Sequence, residues 1–110
     1  MRLVLVLIAA GLAACAPAAS PPPDDAVLVR ARLVEPGGAR VFALYCASCH
    51  GETGNAPGTP AVMGPRALDD FDSEPGLRGF VSRRMPPRGT LEPDEVSAVS
   101  RYLWRVARLR

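Results

Sequence analysis

The chain has no lysine: all 13 of its basic residues are arginines. It has one histidine, His50, and three cysteines, Cys15, Cys46 and Cys49. Aromatic residues make up 5% of its 110 residues: Phe42, Tyr45, Phe71, Phe80, Tyr102 and Trp104. Each shortage narrows the choices. So few rings give little bulk for a core, and a domain this small usually needs a staple, a metal or a prosthetic group to fold. The formal net charge of +2 is too modest for a nucleic-acid partner. The absence of lysine fits the base composition of a GC-rich genome, and it means that any cationic docking patch is built from arginine. The length allows one domain.

The longest apolar run, Leu3 to Ala14, is too short to span a membrane. Behind Arg2 it reads as the apolar stretch of a secretory leader, residues 1–14. It ends in Leu12-Ala13-Ala14-Cys15, which resembles the lipobox of bacterial lipoproteins. That resemblance implies cleavage before Cys15 and a lipid on its thiol, anchoring the chain to a membrane on the periplasmic side. Ala16, rather than Asp, follows the cysteine, which resembles the pattern for passage to the outer membrane. An ordinary leader cut near Ala14 or Ala19 is the plainer alternative.

Residues 15–32 are then read as a lipidated N-terminus and tether. Ala16 to Asp25 is a Pro/Ala tract that favours extended geometry and cannot form a core. Val27 to Val34 is apolar-rich and does not choose between a short strand and an irregular segment. Without the leader and Arg2 the charge falls to +1, so long-range steering would be weak.

The chain is organised around Cys46-Ala47-Ser48-Cys49-His50. Positions i, i+3 and i+4 share a helix face. Two thiols there can each form a thioether with a haem vinyl group, and the imidazole can reach the iron; this is the C-x-x-C-H pattern of haem c attachment. A thioredoxin-like dithiol would need strands that the sequence does not offer. A zinc site would need ligands that are not there, since His50 is the only histidine and Cys15 is otherwise used.

Around the motif, Ala39 to Cys49 runs without a helix breaker, with Gly38, Phe42 and Tyr45 on one side as core positions. Gly51 is placed to end that helix in the left-handed conformation. Residues 51–64 form a loop rich in Gly, Pro, Thr and Asn. Leu77 to Arg83 is a short helix with Leu77, Phe80 and Val81 facing the haem. Leu91 to Val96 opens a last helix. Pro93 stands at its first position, Asp94 and Glu95 at its positive end, and Leu91 and Val96 at the staple positions. Glu92 at the N-cap is a poor choice, costing about 1 kcal/mol of cap energy. Val96, Val99, Leu103 and Val106 form the apolar stripe, with Ser97, Arg101, Arg105 and Arg108 opposite.

From Gly38 to Gly51 the sequence is similar to the first helix of class I cytochrome c, and the resemblance extends over about residues 36–109. It implies an all-α fold: a small helical domain, residues 33–110, wrapped around one covalently bound haem c. The first and last helices would cross, with Gly38 and Phe42 against Tyr102 or Val99. It implies that a proline carbonyl accepts the Nδ1 proton of His50, a role that falls to Pro65 of Gly64-Pro65. Leu68 follows that proline by three positions where the family often has two.

The sixth ligand is expected from methionine. Met1 leaves with the leader, so Met63 and Met85 remain. Met85-Pro86-Pro87 stiffens the backbone beside a flexible thioether and is also what many class I cytochromes show, so Met85 is the expected axial ligand. Met63 is read as pocket filler. A His/Met pair raises the potential and fills the sixth position, which suits electron transfer between a protein donor and acceptor rather than catalysis. Arg83, Arg84 and Arg88 flank the expected haem edge. The alternatives are the haem c subunit of an oxidoreductase or a gas-binding sensor, with Met85 off the iron, and a haem-free lipoprotein with a thiol pair.

Overall fold

The computed structural model describes residues 20–109. The leader, Cys15 and the first part of the tether lie outside the described residues. Among the described residues five helices follow one another: α1 Asp25–Val34, α2 Pro36–Tyr45, α3 Ala47–His50, α4 Glu74–Arg84 and α5 Pro93–Arg108. No strand occurs among the described residues, so the small all-α expectation holds. No helix among them is long and apolar enough to cross a membrane.

The crossing of α2 and α5 is the centre of the packing, and α4 lies against α5. Gly38 makes the crossing possible. A Cβ there would collide with the Ala98 carbonyl oxygen and lie 2.5 Å from Tyr102 Cβ. One turn on, the Phe42 and Tyr102 rings meet at 6.1 Å and 53°, a tilted contact that aromatic pairs favour. Val99, Leu103 and Val106 fill the seam, each at most 5% exposed. Tyr45, expected in this core, stands outside it at 46% exposure; the helix turns it away one position before Cys46.

Residues 27–34, undecided from sequence, are helical. Leu28 and Ala31 are buried against α2 and α5, so α1 packs on the helices that follow it. Glu35 joins α1 to α2. Its N–H donates to the Ala31 carbonyl at 2.8 Å, and its own carbonyl accepts from Ala39 at 3.0 Å. Its carboxylate receives Arg105 Nε and Nη2 at 3.2 and 3.1 Å, with Arg101 Nε at 3.6 Å. The α1–α2 corner is thus tied to the middle of α5.

The start of α5 corrects the expected weak cap. Glu95 Oε1 accepts from the Glu92 N–H at 3.1 Å, one half of a capping box that offsets the poor N-cap residue. Leu91 and Val96 are both buried, as staple residues should be. At its other end, the Arg108 guanidinium lies 3.3 Å from the centroid of Trp104.

Candidate functional site

The helix expected to run from Ala39 to Cys49 is broken at Cys46, where φ −117° and ψ −36° separate α2 from the single turn α3. The Cys49 and His50 N–H groups still donate to the Cys46 carbonyl, at 3.3 and 3.0 Å. The C-x-x-C-H segment is therefore its own short turn, with both thiols and the imidazole on it. Cys46 is half-buried and Cys49 exposed, and neither forms a disulfide among the described residues. Burial pushes the Cys46 thiol up from 9.0 to about 11. Gly51 ends the turn with φ 79°. Its ψ of 162° puts it in the extended glycine-only region rather than the left-handed helical one.

The loop after Gly51 folds back under the histidine. Ala56 N–H donates to the His50 carbonyl at 2.9 Å, and Val62 N–H to the Gly54 carbonyl at 2.7 Å. The Thr59 hydroxyl lies within hydrogen-bond reach of two carbonyls, Cys49 at 3.2 Å and Ala56 at 3.1 Å. These bonds deliver the Pro60 carbonyl to His50 Nδ1 at 3.0 Å. A proton on Nδ1 donated to that oxygen leaves Nε2 as the unprotonated nitrogen, able to ligate a metal.

Pro65 does not fill that role. It is exposed, and it stands beside Pro23, Asp24 and Val27 at the start of α1. Gly64, with φ 113°, has no room for a Cβ because the Pro21 carbonyl abuts it. The Gly-Pro pair thus receives the incoming chain, and Thr59-Pro60 serves the histidine. No matching signal marked Pro60 in the sequence: Val62 stands two positions after it, where the family often has Leu.

Of the two methionines among the described residues, Met63 is fully buried, packed against Gly54, and stays in the protein core. Met85 is half-buried and lies where α4 ends. Its N–H donates to the Val81 carbonyl at 3.0 Å, and its own backbone is extended, at φ −129° and ψ 135°. The chain leaves the helix at this residue and enters Pro86-Pro87. Leu77 and Val81 of α4 are buried, while Phe80 is 37% exposed and meets Phe71 edge-on at 5.5 Å. Arg83, Arg84 and Arg88 are exposed around Met85.

The donor set fits a haem c. Two cysteines on one turn are free to form thioethers, and a lone imidazole has its outer nitrogen already engaged. A small helical domain with that arrangement is a c-type cytochrome. The family model described as cytochrome c oxidase, cbb3-type, subunit III matches residues 35–103, and the chain belongs to that family. The cofactor is accordingly covalently bound haem c, used to carry electrons to and from protein partners rather than to catalyse a reaction. No curated protein and no solved structure matches the chain.

Proposed function

We propose that the chain is an exported class I cytochrome with a single haem, anchored by lipid on Cys15. It passes single electrons between a protein donor and a protein acceptor. Cys46 and Cys49 hold the haem, His50 and Met85 ligate its iron, and Pro60 orients His50. The bond from His50 Nδ1 to the Pro60 carbonyl carries this reading. An imidazole fixed through one nitrogen presents the other in a constant direction and with raised basicity. Met85 adds support: a half-buried thioether stands at the stiff junction between α4 and two prolines.

When bound, the haem supplies one-electron iron chemistry. His50 and Met85 would hold its iron, and the backbone around each would keep the side chain in place in either oxidation state. With both side chains on the iron, small molecules would be excluded from it. The family description favours a second, compatible reading, in which the chain is the electron-transfer subunit of an oxidase complex. The leader and lipobox support a periplasmic location on a membrane, and Ala16 after Cys15 favours the outer one.

Two experiments test the proposal. Redox titration of haem-loaded protein should give a one-electron transition, and added carbon monoxide should leave the reduced spectrum unchanged. Ready binding of carbon monoxide would move the protein to the sensor or enzyme class. Metabolic labelling with a fatty acid should mark the full chain and not its Cys15→Ser variant; equal labelling would end the lipoprotein reading.

A further inference from the structure

The tether is shorter than its composition suggests. Pro23 is buried, and the Pro21 carbonyl sits against Gly64. The Pro-rich segment is therefore already seated on the domain from Pro21 onward. Between Cys15 and Pro21 lie five residues, 16–20. Even fully extended, that stretch reaches only about 20 Å. A lipid on Cys15 would thus hold the domain close to the bilayer, with its N-terminal side inward, and α1 is the first element the chain then forms.

The outer face of α1 is unusual for a helix already packed on a core. Leu28 and Ala31 face inward and are buried, yet Val29 is 55% and Leu33 78% exposed. Ala26, Val29 and Leu33 fall at i, i+3 and i+7, one stripe on the side away from the core. Arg30 flanks the stripe on one side and Arg32 on the other, both exposed. Asp24 and Asp25 are confined to the first turn, at the positive end of the helix dipole. An apolar stripe with arginines along both borders suits a helix lying in a lipid interface. The stripe sinks among the acyl chains while the arginine stems carry their guanidinium groups up to the phosphates.

We propose that the outer face of α1 rests on the lipid surface to which Cys15 anchors the chain, so that the domain keeps a fixed orientation there. The proposal rests on the lipid-anchor reading. The charge pattern and the short reach of the chain both favour lipid over a second copy of the protein as the occupant of this face.

The test uses haem-loaded lipoprotein in bilayers of phosphatidylethanolamine and phosphatidylglycerol, with two readouts. Flotation with vesicles reports anchoring. Polarised absorption of the haem on oriented multilayers reports orientation. The native protein should float and show a dichroic haem band. The double variant Val29→Glu/Leu33→Glu should float equally and lose the dichroism, and the milder Leu33→Ser should lose part of it. Dichroism that is absent in the native protein, or unchanged in the double variant, would overturn the proposal. Native protein that fails to float would overturn the anchor reading and the proposal with it. An unlipidated Cys15→Ser protein that runs as a dimer, and as a monomer once Val29 and Leu33 are replaced, would assign the face to a second copy and overturn it too.

Discussion

The His50 imidazole and the Pro60 carbonyl meet at 3.0 Å across a ten-residue loop. Thr59 holds that loop, with its hydroxyl placed between the Cys49 and Ala56 carbonyls. Thr59→Val should therefore lower the unfolding free energy of the haem-loaded protein by about 1 kcal/mol, the usual worth of a hydrogen bond. It should also shift the NMR signal of the His50 Nδ1 proton. Pro65→Ala should leave that signal where it is. A shift with Pro65→Ala and none with Thr59→Val would return the role to Pro65.

Gly38 is a position where any side chain is excluded by backbone. Gly38→Ala drives a methyl group into the Ala98 carbonyl and Tyr102 Cβ, and helix backbones move apart only at the expense of the seam they form. Denaturant titration of the haem-loaded variant should show a loss of about 2 kcal/mol or more. A loss well under about 1 kcal/mol would mean that α2 and α5 do not cross this closely.

Glu35 receives two arginines of α5 and is largely shielded, at 14% side-chain exposure, but Arg101 and Arg105 remain about half exposed. Solvent screening discounts the pairs accordingly, so Glu35→Gln should cost about 0.5–1 kcal/mol at low ionic strength. The loss should shrink as salt is raised. A salt-independent loss would point to packing at the α1–α2 corner instead of charge.

Ser100 is fully buried on α5, and its hydroxyl has no hydrogen-bond partner among the described residues. Ser100→Ala removes the unpaired group and improves helix propensity, so stability should rise by about 1 kcal/mol. A fall would show that the hydroxyl does have a partner once the haem is in place.

Much of this was legible from residue spacing. The α5 stripe and the short helix before Met85 follow from side-chain periodicity and backbone stiffness, which are local, whereas the contact of Gly38 with Tyr102 or Val99 was implied by the family resemblance alone. Beside the helix break at Cys46 and the outward turn of Tyr45, two larger features were not legible. The α1 segment alternates neither at the period of a strand nor clearly at that of a helix, because it carries apolar residues on both its inner and outer faces. The choice between Pro60 and Pro65 depended on how a glycine-rich loop closes. That closure is set by the Thr59 hydroxyl and by the backbone bonds of Ala56 and Val62, which no spacing rule counts.

The central claim, that Met85 as well as His50 would ligate the haem iron, is tested most directly by the far-red methionine–iron absorption band of oxidised, haem-loaded protein. The band should be present in the native chain, persist in Met63→Ala, and vanish in Met85→Ala as the reduced protein begins to bind carbon monoxide. A band that survives Met85→Ala and disappears in Met63→Ala, or a native protein that lacks the band and binds carbon monoxide, would contradict it.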